Sequence, residues 1–161
     1  MELPDRKHTR LPGFDYSSQN YYFVTICTHN KVRLFGETSS DGIKPSRFGE
    51  IARTELLEIP GHFEGIQIDR FAVMPDHVHA IILIGCDGAE RSRPFPTLSG
   101  VVGLYKSGVS KRIHEIEPDI PVWQKSFYDR IIRDEQAYRE VLQYIDENPL
   151  KRALLAEGSG L

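Results

Sequence analysis

The sequence predicts an α+β domain: one antiparallel sheet of four strands, two helices packed against it, and a third helix after the last strand. Three observations carry this. Runs of β-branched and aromatic residues bounded by turn residues recur along the chain, as strands require. Two longer segments between them repeat their apolar residues at helical spacing. The second and third strand-like runs are separated only by a proline-containing turn, which makes them a hairpin. The resulting order is β-α-β-β-α-β-α. Its first six elements match the ferredoxin-like split βαβ arrangement, the RRM-like sheet with two helices.

Each element follows from its residues. Residues 1–20 are polar and carry Pro4, Pro12 and Gly13, the signature of an irregular arm. Tyr21 to Thr28 reads as the first strand. Residues 36–46 collect glycine, serine, aspartate and proline and read as a loop. Phe48, Ile51, Ala52, Leu56 and Ile59 then mark the first helix, which Pro60-Gly61 should end. Residues 65–73 and His77 to Ile84 are the hairpin strands, joined through Met74-Pro75-Asp76. After a loop over residues 85–97, Leu98, Val101, Val102, Tyr105, Val109, Ile113 and Ile116 line one face of the second helix. Phe127 to Arg133 reads as the fourth strand. Asp134 can cap a final helix with Tyr138, Val141, Leu142 and Ile145 on one face, and Asn148-Pro149 should stop it. If the first two helices cover one sheet face, this helix must bury its stripe on the other face or at the sheet edge.

Composition excludes several classes. The chain has 161 residues with 40% hydrophobic content, enough for a real core. No apolar run approaches the roughly 20 residues needed to span a bilayer. Met1 to Lys7 lacks the apolar centre of a signal peptide, so a cytoplasmic protein without membrane partners is expected. Cys27 and Cys86 are too few for a disulfide framework or a thiolate zinc site. A net charge of −3 argues against indiscriminate nucleic-acid binding. Yet Arg91 to His114 contains Arg91, Arg93, Lys106, Lys111 and Arg112 and no acid. Such a stretch can face phosphates, and it can equally be a solvated helix face.

The segment most suggestive of chemistry is His77-Val78-His79. Strand side chains alternate with period two, so both imidazoles point to one face and can share a metal ion. Burying the two rings without partners would cost about 1–3 kcal/mol each. On the final helix Tyr144 and Asn148 are four residues apart, which puts them on one side, about 5–6 Å apart at Cβ. They flank the apolar stripe, where a side chain can lie beside the sheet with a wet tip. Taken alone, Tyr144 reads as a packing tyrosine, Asn148 as a helix terminator and Trp123 as part of a packing cluster.

The ordered segments carry a resemblance. Met74-Pro75-Asp76-His77-Val78-His79 resembles the His-hydrophobic-His motif of the single-tyrosine HUH transposases. Tyr22-Phe23-Val24-Thr25-Ile26-Cys27-Thr28 with Leu34-Phe35-Gly36 looks like the first strand and following turn of the REP-associated tyrosine transposase branch. Val122-Trp123-Gln124, Phe127-Tyr128-Asp129 and Ile131-Ile132-Arg133 look like its segment before the last helix. Tyr144-Ile145 with Asn148-Pro149 looks like its catalytic helix. The likeness runs from about residue 10 to residue 152. It implies an arm over residues 1–20, a transposase domain over 21–152 and a tail over 153–161.

The resemblance implies a division of labour. His77 and His79 match the metal-binding histidines, Asn148 the third ligand and Tyr144 the nucleophile. Asp76 stands where the family commonly has asparagine and is expected to shape the turn. The implied cofactor is a divalent ion, Mg²⁺ or Mn²⁺. The implied substrate is single-stranded DNA carrying a hairpin, as in REP-like palindromes, cut and rejoined through a 5′-phosphotyrosine link. Lys106, Lys111 and Arg112 are candidate backbone contacts, as is Arg133, and Trp123 or Tyr128 could stack an unpaired base. Some members of the wider family dimerise and share the tyrosine helix between chains, so a homodimer is one expected state. Two rivals remain: a non-enzymatic single-strand-binding domain, and a metal-dependent phosphodiesterase in which water attacks. The first lacks aromatic residues on its third strand.

Overall fold

The computed structural model describes residues 20–85 and 96–158, with side chains described as far as Pro149. Six strands and three helices follow in order: β1 (Asn20–Cys27), β2 (Gly36–Ser39), β3 (Gly42–Pro45), α1 (Arg47–His62), β4 (Ile66–Met74), β5 (His77–Ile84), α2 (Leu98–His114), β6 (Tyr128–Ile132) and α3 (Glu135–Gly158). The main sheet has the order β4-β5-β1-β6, all antiparallel, as the ferredoxin-like arrangement requires. β5 and β1 are central, with His77 opposite Cys27 and His79 opposite Thr25.

The two faces of the sheet carry separate cores. Tyr22, Val24 and Ile26 of β1 and Val78, Ala80, Ile82 and Ile84 of β5 face α1 and α2. Leu56 and Ile59 of α1 and Val101, Tyr105, Val109 and Ile113 of α2 close this larger core. The opposite residues of the same strands, Phe23 and Ile81 with Ile132 of β6, pack against Val141 and Ile145 of α3. The final helix therefore lies on the face opposite the other two, the first of the two placements expected for it. Asp134 accepts from Ala137 N at 2.8 Å and caps it.

Three expectations need correction. Residues 36–46 are not a loop: Glu37 and Thr38 pair with Lys44 and Ile43 as a two-stranded hairpin, and α3 approaches both of its strands. Gly42, at φ 117°, closes the turn. The strands are four residues each and mostly polar, so no alternation announced them. α3 does not stop at Asn148-Pro149; it is helical through Gly158, so most of the expected tail is helix. Pro149 lacks the N–H that would donate to the Ile145 carbonyl, and the helix continues through it. α1 likewise passes through Pro60 to His62. The arm over residues 1–19, together with Cys86, Arg91 and Arg93, lies outside the described residues.

α1 begins where Ser46 Oγ accepts from Gly49 N at 3.1 Å. A Cβ on Gly49 would stand 2.0 Å from the Phe35 carbonyl oxygen, so only glycine lets the helix start so close to that backbone. β4 holds one irregularity, a register shift between Ile68 and Arg70. Such a bulge turns two successive side chains to one face. Asp69 and Arg70 accordingly both reach α3.

Candidate functional site

The sheet face beneath α3 gathers the two histidines, the tyrosine and the asparagine that the sequence singled out. His77 and His79 are buried, 7% and 1% exposed. Their Nε2 atoms lie 3.0 Å apart. Asn148 brings its side-chain amide to 3.0 Å from His79 Nε2. The Tyr144 ring meets His79 edge to face at 5.3 Å between centroids and Phe23 at 6.0 Å. One turn of one helix thus places a phenol and an amide against a strand that presents two imidazoles, all within one chain.

The far sides of both rings are held as well. His77 Nδ1 donates to the Asp76 carboxylate at 2.6 Å. His79 Nδ1 lies 3.0 Å from Thr25 Oγ1 on the neighbouring strand. Were Asp76 and Thr25 both to accept, each ring would carry its proton on Nδ1 and turn the Nε2 lone pair inward. In that tautomer the two lone pairs, 3.0 Å apart, would face a common point that a cation could occupy. Donors about 2.1 Å from a common ion, at adjacent corners of an octahedron, stand about 3.0 Å apart. The His77–His79 and His79–Asn148 spacings fit that pattern. A half-turn of the Asn148 amide puts Oδ1 at the position of Nδ2. Among the described residues no three His, Cys, Asp or Glu side chains form a metal-binding group.

Sequence reasoning missed Thr25 and the Asp76 contact. Thr25 shares the odd-numbered face of β1 with Phe23, but only the pairing register sets it beside His79. Asp76 does stand in the turn, and its carboxylate also orients His77.

The helix is clamped at the far edge. Arg70 donates to both carboxylate oxygens of Asp146, at 2.6 and 2.7 Å. Tyr138 donates to Asp69. That hydrogen bond, with partial burial, pushes the Tyr138 phenol up to about 12.

The expected DNA contacts divide. Lys106 Nζ donates to the carbonyls of Gln124 and Ser126, at 2.7 and 3.4 Å, and burial pulls its ammonium below the ordinary lysine value. Trp123 donates to the Lys106 carbonyl at 3.0 Å and packs between Phe35 and Tyr105. Both serve the core beneath α2, on the sheet face away from the histidines, so neither is an open contact surface. Arg112 pairs with Glu55 at 3.2 Å, and Lys111 lines a cleft between α1 and α2, also away from the site. Arg133 alone of the five stands on the α3 side, at the end of β6.

No family model matches the sequence. An uncharacterized Haemophilus influenzae protein is 31% identical over 159 residues, covering 90% of this chain and 88% of that one. Two solved structures share the fold. The REP-associated tyrosine transposase bound to a REP hairpin superposes with a TM-score of 0.57 at 17% identity, over 89% of this chain and 72% of that chain. A candidate transposase from Deinococcus radiodurans gives 0.52 at 16% identity, over 86% and 95%. These folds agree with the branch that the ordered sequence segments resemble. The chain belongs to one family with the Haemophilus influenzae protein, and its fold is that of the REP-associated tyrosine transposase.

Proposed function

We propose that this protein is a single-stranded DNA transposase or strand transferase in which Tyr144 is the nucleophile. The observation that carries it is the convergence, from one helix, of the Tyr144 phenol and the Asn148 amide on the His77–His79 pair. The likeness to the transposase solved with a REP hairpin supports hairpin-bearing DNA as the substrate.

His77, His79 and Asn148 would hold a divalent cation, Mn²⁺ or Mg²⁺. When bound, such an ion polarises the scissile phosphodiester and offsets charge that develops on it. The chain's own residues do the rest. Asp76 and Thr25 keep the imidazoles aimed inward. Phe23 and His79 hold the Tyr144 ring from two sides, which fixes the phenol without engaging its oxygen. The phenolic oxygen forms a bond to phosphorus, and the bond from phosphorus to the 3′-side oxygen breaks. The proton released by the phenol balances the one taken up by the departing 3′-hydroxyl. The DNA 5′ end is left as a phosphotyrosine ester. Attack by another 3′-hydroxyl reverses the step and joins strands, with phosphoester bonds conserved throughout.

The test is a denaturing gel of protein, Mn²⁺ and a labelled hairpin oligonucleotide with single-stranded flanks. A covalent adduct that disappears in Tyr144→Phe is the expected outcome. Cleavage with no adduct would replace this reading with hydrolysis by water. Binding without cleavage, unchanged in His77→Ala, would replace it with a non-catalytic binding module.

A further inference from the structure

The α3 side of the sheet is unequally covered. The helix buries Phe23, Ile81 and Ile132 and is clamped to β4 at the far edge. On the other edge, among the described residues, β6 pairs only with β1. Its residues that share the α3 face are Tyr128, Arg130 and Ile132, opposite Thr25, Phe23 and Tyr21. Tyr128 and Arg130 stay half-buried, Arg133 is exposed, and Tyr21 is 38% exposed. Register orders them as a lane. Tyr128 stands beside Thr25, the partner of His79, and Arg130 beside Phe23, which touches Tyr144. Two strand spacings put Tyr128 roughly 10 Å from His79. At the far end Tyr21, Ile132, Arg133 and Tyr138 line a cleft of about 370 Å³, enough for one base.

Charge points to the occupant. Neither Arg130 nor Arg133 has a salt bridge among the described residues. The two carboxylates at the cleft are engaged: Asp134 caps α3, and Glu135 pairs with Arg139 at 2.7 Å. Two cations and two tyrosine faces along a sheet edge that no described strand covers are the elements of sequence-tolerant single-strand binding. Duplex recognition would call for a protruding element that enters a groove, and this lane is recessed beside a helix.

We propose that the single-stranded flank of the DNA runs along β6 toward Tyr144, its phosphates on Arg130 and Arg133 and its bases stacked on Tyr128 and Tyr21. This rests on the transposase reading and adds to it the path of the strand.

The experiment is fluorescence anisotropy on the full chain with two probes, a hairpin with a single-stranded flank and the same hairpin without it. Arg130→Gln combined with Arg133→Gln should weaken binding of the flanked probe roughly tenfold and lower its log-log salt slope by about two. Tyr21→Ala and Tyr128→Ala should each weaken it about fivefold or more, whereas Tyr21→Phe and Tyr128→Phe should retain it. The flankless probe should be indifferent to all of these. Equal losses on both probes, or none on either, overturn the lane. Thermal melting identifies any variant that fails to fold, and the phenylalanine pair then decides. A gel for the wild-type covalent adduct runs in parallel. An adduct with undisturbed lane variants sinks only the strand path; no adduct and no binding sinks the transposase reading with it.

Discussion

Asp76 accepts a hydrogen bond from His77 Nδ1 at 2.6 Å, so the residue just before the histidine pair fixes which face of the first imidazole looks inward. A carboxylate behind a ligating histidine sets its tautomer and raises its basicity, and losing such a partner typically weakens metal binding 10–100-fold. Asp76→Ala should therefore weaken Mn²⁺ binding by roughly that factor, measured by titration calorimetry on the full chain. Asp76→Asn, which keeps an oxygen acceptor in place, should recover most of the loss. Equal affinity in all three proteins would remove Asp76 from the site.

Tyr144 should be separable into its ring and its hydroxyl. The ring contacts Phe23 and His79 edge to face, and both contacts survive in phenylalanine. Tyr144→Phe is expected to melt within about 0.5 kcal/mol of the wild type, as changes that touch no packing usually do. Adduct formation should be abolished. Tyr144→Ala would confuse the two roles, because it empties part of the small core under α3.

That small core is where α3 is most vulnerable. Val141 and Ile145 are 0% and 1% exposed, and they face Phe23, Ile81 and Ile132. Ile145→Ala should cost about 2–4 kcal/mol, the range for deleting a buried branched side chain. The same change loosens the helix that carries Tyr144 and Asn148. Denaturant unfolding measures the first effect and hydrogen exchange of α3 amides the second, and a loss well under 1 kcal/mol would mean that α3 is held elsewhere.

The bulge in β4 gives the helix a pH-dependent contact. Tyr138 donates to Asp69, and its phenol is pushed up to about 12, first by that hydrogen bond. A group raised in the folded state stabilises it fully below the unfolded tyrosine value, near 10. The contribution fades as pH rises through about 12. Resistance to denaturant should thus fall between those limits in the wild type and much less in Tyr138→Phe. The exposed Arg70–Asp146 pair, in which one guanidinium nitrogen meets both carboxylate oxygens, should add less than about 1 kcal/mol. An unchanged pH profile in Tyr138→Phe would show that this hydrogen bond does not govern α3.

Much of this site was legible because it is local. Period-two alternation put His77 and His79 on one face, and helical spacing put Tyr144 and Asn148 on one side. Strand pairing is not local, so Thr25 beside His79 and Arg130 beside Phe23 could not be read from spacing. The bulge was equally hidden, since one extra residue in a strand leaves no periodic trace. The β2–β3 hairpin was obscured by its own brevity. Basic residues misled for a different reason. A lysine in sequence shows its charge but not where its long stem is buried.

Lys106 puts that last point to the test. Its ammonium is half-buried under the segment that leads into β6, donating to the Gln124 and Ser126 carbonyls, while Trp123 from the same segment donates back to the Lys106 carbonyl. This exchange pins the 123–126 segment to α2. Removing a buried partner leaves those carbonyls unsatisfied at a cost of about 1–3 kcal/mol. Lys106→Met keeps the stem and deletes the donor, so it should destabilise the fold by about that amount and leave DNA affinity unchanged at temperatures where the protein is folded. Lys111→Met, on the exposed face of the same helix, should change neither by more than about 0.5 kcal/mol. A uniform loss of DNA affinity in Lys106→Met with unaltered melting would return this residue to the phosphate-binding surface that its charge alone suggests.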